Sequence, residues 1–258
     1  MPFGSVFFLF DHISLTTADD ASVNFRNTSL SRLVFRLIGI PHIGLRLRAR
    51  KVMQNMPDKA NRMLDAGLGT GIFSFTLAHR VRIIDAIDIE AKKVSYAKRI
   101  NNVFTNVRIQ LMDLTNLTFS DCSFDLVVCS EVIEHIREDR LAFFHLARVL
   151  KNGGTMLLTV PYDCEKNKAI YKRYHHERPG YTKDKIRDLC DRNGLTIEKS
   201  QGFSYSFAEK VFEISRRLYD KKAMSVVFFS IVYPLVLVSE FFALNSDPCQ
   251  IFFKISKK

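Results

Sequence analysis

The chain has 258 residues, 47% hydrophobic and 25% charged, a balance that excludes a disordered or fibrous chain and suits one well-buried α/β core. Lysine and arginine number 38 against 27 acidic residues, a formal net charge of +11; nucleic acid, anionic lipid and an anionic small substrate all attract such a surface, so the sign does not choose among them. The five cysteines, Cys122, Cys129, Cys164, Cys190 and Cys249, are odd in number and never spaced C-x-x-C, which argues against a zinc site and leads us to expect reduced thiols, no metal and a cytoplasmic location.

Met1 to Phe10 is apolar but lacks a basic leader and is interrupted by Asp11, so no export signal is expected. We read 1–60 as an N-terminal helical cap, because Phe25 to Met56 has helical spacing, broken at Pro41, and carries Arg46, Arg48, Arg50 and Lys51. The cofactor-binding core is expected over 61–161. There Leu64-Asp65-Ala66-Gly67-Leu68-Gly69-Thr70-Gly71 is a short apolar run ending in an aspartate and opening into three alternating glycines. An acid at the tip of a buried strand is costly unless its charge is used, and glycines let a ligand approach the main chain. Ile72 to Arg80 then has helical apolar spacing, so the block predicts a strand, a glycine loop and a helix whose free amides face the ligand.

Ile83 to Asp88 is the second predicted strand, and Ala91, Val94, Ala97 and Ile100 line one face of the next helix. Val107 to Met112 follows and ends at Asp113, with Leu117 to Ser123 as loop; Asp125 to Ser130 is a continuous apolar strand. A helix from about Glu138 to Leu150 should stop at Asn152-Gly153-Gly154, before a fifth strand, Thr155 to Val160. The remainder, 162–258, is read as a substrate-shaping region: a helix capped by Thr182 and stopped by Gly194, a strand from Leu195 to about Gln201, an apolar segment at 223–244 containing Pro234, and a last strand at 250–256. Strands alternating with helices give a single α/β domain with a doubly wound parallel sheet, its ligand crevice at the carboxyl ends of the strands, where the singled-out acids sit.

Successive blocks in register carry a resemblance. The glycine loop, then Asp88, Asp113, Ser123-Phe124-Asp125-Leu126-Val127-Val128-Cys129-Ser130-Glu131-Val132-Ile133-Glu134-His135, and Arg148-Val149-Leu150-Lys151-Asn152-Gly153-Gly154 resemble the successive motifs of class I S-adenosylmethionine-dependent methyltransferases. The resemblance is close over Arg62 to Pro161 and looser beyond. It implies a Rossmann-like, seven-stranded, mostly parallel sheet with its last strand antiparallel, carrying N-terminal helices and an apolar C-terminal helical insertion. The cofactor it implies is S-adenosyl-L-methionine, leaving as S-adenosyl-L-homocysteine. The cofactor-binding residues it implies are Asp65, Ala66, Gly67, Gly69 and Gly71 along the methionyl part, and Asp88 under both ribose hydroxyls. Ile89, Asp113 and Leu114 would lie around the adenine, with Ser130 and Glu131 on the methionyl side. Leu68 departs from relatives that place cysteine after the first glycine; the position contributes mainly backbone. A nicotinamide dinucleotide is the competing ligand, but residue 72 is isoleucine where a third glycine would be needed, and Asp65 would repel a pyrophosphate.

A sulfonium already activates the methyl group, so the protein must chiefly align and desolvate the acceptor, with a general base if the acceptor is a hydroxyl. His135 is the first candidate base and His176, with its neighbour His175, the second; equally, Glu134 and His135 could simply cap the following helix. Asn/Asp-Pro-Pro-aromatic, the mark of amino-methylating nucleic-acid enzymes, is absent after the fourth strand, where Ser-Glu-Val-Ile-Glu stands, so nucleic acid is not the expected partner. The expected acceptor is a small molecule, a saccharide or a lipid-linked compound, methylated on O or N. The alternative is a catalytically silent domain that binds cofactor or a partner through its apolar tail. For 223–244 two readings stand side by side: a helix packed over the pocket, or interfacial contact at the inner face of a membrane.

Overall fold

In the computed structural model we describe residues 43–258, except 70, 102–103, 166–167, 169–175, 206, 209, 212–213, 215–221 and 243–246. The expectations for 1–42, for His175 and for the basic stretches at 166–172 and 216–221 lie largely or wholly outside the described residues.

The elements follow in the order α1 (Ile43–Gln54), β1 (Ala60–Ala66), α2 (Ile72–Leu77), β2 (Val81–Asp88), α3 (Ala91–Ile100), β3 (Val107–Leu111), a 3-10 turn (Leu114–Asn116), β4 (Phe124–Ser130) and a second 3-10 turn (Ile133–His135). After these come α4 (Asp139–Val149), β5 (Leu150–Pro161), α5 (Lys183–Arg192), β6 (Leu195–Phe203), α6 (Lys222–Phe242) and β7 (Gln250–Lys257). The strands form one seven-stranded sheet in the order β3-β2-β1-β4-β5-β7-β6. Neighbours from β3 through β5 are parallel, and β7 runs antiparallel to both β5 and β6.

Alternation along each strand sends successive side chains to opposite faces. Met63, Ile84, Leu126, Leu157 and Phe252 join α1, α2, α3 and α6 in one core through Val52, Phe75, Val94 and Val236. Their neighbours Leu64, Ile87, Val127, Leu158 and Phe253 meet α4 and α5 through Phe143, Leu146, Ile186 and Leu189. With both faces covered, the central strands read as unbroken apolar runs. The strand order turns back at β1, which lies between β2 and β4, so the crevice opens at the carboxyl ends of those three strands.

Local chemistry sets the boundaries. Thr182 caps α5 by accepting a hydrogen bond from the Lys185 amide (3.2 Å). The helix α2 ends at Leu77, earlier than its apolar spacing suggests, because the chain must turn into β2; Asn106 Nδ2 holds that turn by donating to the carbonyls of Ala78 (2.6 Å) and Val81 (2.9 Å). Asn152-Gly153-Gly154 does not separate helix from strand as expected. The strand begins at Leu150 and runs through the glycines, and its pairing with β4 slips between Phe124 and Leu126, a bulge that absorbs them. The apolar segment is a single helix, Lys222–Phe242, with Pro234 inside it. Among the described residues no helix is long and apolar enough to cross a membrane.

The first glycine of the loop is fixed by space as well as by backbone. Gly67 has φ +84°, and a Cβ there would lie 2.3 Å from Cγ2 of Val132 on the loop after β4. Gly67→Ala should lower stability by roughly 2–4 kcal/mol, read from urea unfolding. Adding Val132→Ala should recover the steric part and leave the left-handed backbone penalty.

Candidate active site

Two buried carboxylates at adjacent strand ends shape the crevice. Asp65, near the end of β1, is 1% exposed and its Oδ2 accepts from the Ser74 hydroxyl (2.5 Å) and amide (3.1 Å), which ties β1 to α2. Burial pushes its carboxyl up to about 6, against the pull of the Ser74 hydrogen bonds. Asp88, at the end of β2, takes the Gly69 amide on Oδ2 (3.0 Å) and the Glu90 amide on Oδ1 (2.9 Å). The glycine loop is drawn to the same strand from its other end, since the Gly67 and Leu68 amides both donate to the Ile87 carbonyl (2.9 and 2.8 Å). A Cβ on Gly69 would meet nothing within 4 Å, so the crest of the loop faces open space.

Along the β2 and β3 edge, Asp113 Oδ1 accepts from the Thr115 amide (2.8 Å) and caps the turn that buries Leu114. The Met112 amide donates to the Asp88 carbonyl (3.1 Å), which closes this side. Ile89 and Leu111 stand out here, 65% and 57% exposed, an apolar wall suited to a flat ring.

On the other side, Ser130 Oγ and Thr159 Oγ1 share a hydrogen bond (2.8 Å), and the Glu131 amide donates to the Thr159 carbonyl (2.9 Å). Glu131 has φ +54°, a left-handed conformation that costs a non-glycine residue about 1–2 kcal/mol and turns the chain sharply out of β4. Its Oε2 lies 3.9 Å from Arg48 Nη1, so α1 reaches over this end of the crevice.

His135 and His176 meet edge to face, ring centroids 4.4 Å apart at 81°. Burial, and then His135, pushes His176 down to about 4, so it is neutral at physiological pH. Glu134 lies beneath, fully buried, with His135 Nε2 3.9 Å from its Oε1. Neither Glu134 oxygen has a hydrogen-bond partner among the described residues. Burial first, and Glu131 second, hold its carboxyl well above the usual range. Ligating atoms of Glu134, His135 and His176 all lie within 4.8 Å of one another, a set chemically able to hold a divalent cation once Glu134 ionises.

Arg178 holds this turn from outside. Its Nη1 donates to the carbonyls of Ile133 and Ile136 (both 2.8 Å), and its Nη2 to that of Arg137 (3.0 Å). Tyr181, whose hydroxyl accepts from Arg178 (2.9 Å), donates to Asp139 Oδ2 (2.9 Å), and the Glu177 amide donates to the Glu134 carbonyl (3.0 Å). The segment that brings His176 in is therefore bound to the turn that carries His135.

Comparison with known proteins bears on this geometry. Residues 64–158 match the methyltransferase domain family. Within that span the chain carries a methyltransferase domain. A ubiquinone biosynthesis O-methyltransferase of Coxiella burnetii is 26% identical over 186 residues, covering 66% of this chain and 78% of the relative. An uncharacterised methyltransferase of Mycobacterium tuberculosis is 30% identical over 96 residues, 36% of this chain and 47% of its own length. Among solved structures, phosphoethanolamine N-methyltransferase 2 of Haemonchus contortus superposes with a TM-score of 0.63 at 20% identity, over 90% of this chain and 58% of that one. A [4+2]-cyclase superposes at 0.57 with 20% identity, over 82% and 80%. The two structural likenesses establish the fold alone.

All the singled-out methyltransferase residues, from Asp65, Ala66, Gly67, Gly69 and Gly71 through Asp88, Ile89, Asp113, Leu114, Ser130, Glu131 and His135 to His176, fall at the carboxyl ends of the parallel strands or on the segment bound to them. Sequence reading did not find Ser74, Arg48, Arg178 or Tyr181 as site-shaping residues. Arg48 was visible only as one member of a basic cluster, and no local signal marks Arg178.

The Asp65 carboxyl gives a signed expectation. Its folded pKa is raised to about 6, while an unfolded aspartate titrates at about 3.9. Between these values the folded state binds the extra proton, so this group's contribution to stability falls as pH rises through the window. From pH 4 to pH 7, urea unfolding should show Asp65→Asn gaining roughly 2 kcal/mol on the wild type.

Proposed function

We propose that the enzyme transfers the methyl group of S-adenosylmethionine to a hydroxyl oxygen of a small, apolar or lipid-linked acceptor, with His135 as general base. The observation that carries this reading is the His135–His176 pair at the carboxyl end of β4, the strand beside the glycine loop of β1. The name of the Coxiella relative, a ubiquinone biosynthesis O-methyltransferase, supports methylation on oxygen.

The residues present fit the cofactor. Open space above Gly69 leaves room for the methionyl chain, and Ile89 with Leu111 offers the adenine a wall. Each Asp88 oxygen already accepts one amide, yet a carboxylate offers about four lone-pair sites, so capacity remains for the ribose hydroxyls. When bound, S-adenosylmethionine supplies an electrophilic methyl carbon with a neutral thioether as its leaving group. The chain then has to hold the acceptor oxygen in line and take its proton. The His135 imidazole would accept the proton that the acceptor hydroxyl gives up as it is methylated. His176, neutral and packed on its edge, keeps that ring oriented and adds no competing charge. Glu131, with its left-handed backbone and Arg48 beside it, would hold the cofactor's ammonium group.

A divalent cation held by Glu134, His135 and His176 is the second reading, favoured by the two Glu134 oxygens without hydrogen-bond partners among the described residues. A metal there would lower the pKa of the acceptor hydroxyl. With base catalysis alone, EDTA should leave turnover unchanged, whereas a metal-assisted enzyme should lose turnover and regain it on adding back a divalent salt.

His135→Ala should lower kcat about 100-fold or more while the calorimetric Kd for S-adenosylmethionine stays within about twofold. Asp88→Ala should weaken cofactor binding about tenfold or more by the same calorimetry, since it loses both the acceptor and the loop's anchor. A fully active His135→Ala enzyme would rule out the base, and unaltered cofactor binding by Asp88→Ala would rule out the assigned seat.

A further inference from the structure

Beyond the proposed methyl transfer, α6 has properties that packing alone does not account for. Its sequence from Lys222 to Phe242 contains Lys222 and Glu240 as its only charged residues. Glu240 is turned inward, where Oε2 accepts from the Ser204 amide (2.8 Å) and Oε1 from the Tyr205 amide (2.9 Å). The same side of the helix packs on the core through Val236, which is fully buried, and Tyr233, whose ring lies 4.0 Å beneath the Arg46 guanidinium of α1. The helix is thus fixed in rotation, and the opposite side carries Ile231, Leu235 and Val238, at i, i+4 and i+7, which are 64%, 53% and 54% exposed.

We propose that this face of α6 seats the protein on an anionic lipid surface. Three large aliphatic side chains in helical register, with no charge among them, form a stripe that water covers poorly. In sequence, Arg216, Arg217, Lys221 and Lys222 precede or open the helix, opposed there only by Asp220. On α1, which meets the inward side of α6 through Arg46, no residue is acidic and Arg50 is exposed. Apolar face and basic flank together match a bilayer interface, where each nearby Lys or Arg contributes about 1 kcal/mol. A second copy of this chain fits less well, because two molecules of charge +11 repel. Its inward side is held on the core by Glu240 and Val236, so the contact proposed is with the surface of a bilayer and not a crossing of it. α1 joins the inward side of α6 to the crevice, since it carries both Arg46, stacked on Tyr233, and Arg48, over Glu131.

The chain contains no tryptophan, so Leu235→Trp introduces a single reporter on the stripe. Its emission should shift to the blue with vesicles of phosphatidylcholine and phosphatidylglycerol and be quenched by brominated acyl chains; phosphatidylcholine alone should give a much smaller effect. In flotation the wild type should rise with the mixed vesicles, and Leu235→Ser/Val238→Ser should cut the bound fraction about tenfold or more, with an unchanged circular dichroism spectrum showing that it folds. An unshifted, unquenched tryptophan, or a wild type that stays below the mixed vesicles, would overturn the proposal. So would a concentration-dependent dimer that the serine substitutions split. Neither measurement uses methyl transfer, so failure here is separable from failure of the proposed reaction.

Discussion

The hydrogen bond from the Gly69 amide to the Asp88 carboxylate is the constraint on which the rest of the site depends. It joins the loop after β1 to the end of β2, and the same carboxylate anchors the start of the next turn through Glu90. A buried acid of this kind is costly without donors, and here the donors are the main-chain amides of Gly69 and Glu90. The loop is thereby held away from the crevice floor, with the crest at Gly69 open to a ligand. Asp65, tied to Ser74, performs the equivalent service one strand over by fixing where α2 begins. Two neighbouring strand ends each use an acid to shape backbone, and the proposed seat of the methyl donor is the space left between them.

The proposed acceptor side is built differently. Glu131 takes a left-handed backbone, Glu134 is buried without hydrogen-bond partners for its carboxyl among the described residues, and His176 is pushed down to about 4. Each of these costs stability, and they occur within one short turn and the segment clamped to it by Arg178. Strain concentrated at one place and held from outside is what a reacting centre requires, because the groups must not relax into more comfortable arrangements. The long reach of Arg178, spanning the carbonyls of Ile133, Ile136 and Arg137, shows how a residue distant in sequence sets the position of His135.

Much of the sheet was legible from residue pattern because its strands are covered on both faces and therefore apolar throughout. The crevice was legible because acids at strand ends and alternating glycines have few other physical uses. The run Asn152-Gly153-Gly154 misled, since a bulge inside β5 and a helix stop present the same residues. His135 and His176 stood out separately, but their edge-to-face contact depends on the Arg178 clamp, which is a long-range geometric fact with no local signature. Arg48 was likewise unreadable as a neighbour of Glu131, because nothing in α1 states which end of the sheet it covers. The apolar helix could be read as packed or as surface-seeking. Which of its sides faces inward is decided by Glu240, and that acid's partners, the Ser204 and Tyr205 amides, lie more than thirty residues earlier in the chain.

The central claim is that the seat between Asp65 and Asp88 receives S-adenosylmethionine and aims its methyl group toward the histidine pair. A crystal structure with S-adenosylhomocysteine and the sulfur position located by anomalous scattering tests this most directly. We expect ribose hydroxyls within hydrogen-bond distance of Asp88, adenine against Ile89, and the sulfur on the His135 side of the glycine loop. A ligand bound elsewhere, or one whose sulfur points away from His135 and His176, would contradict the account.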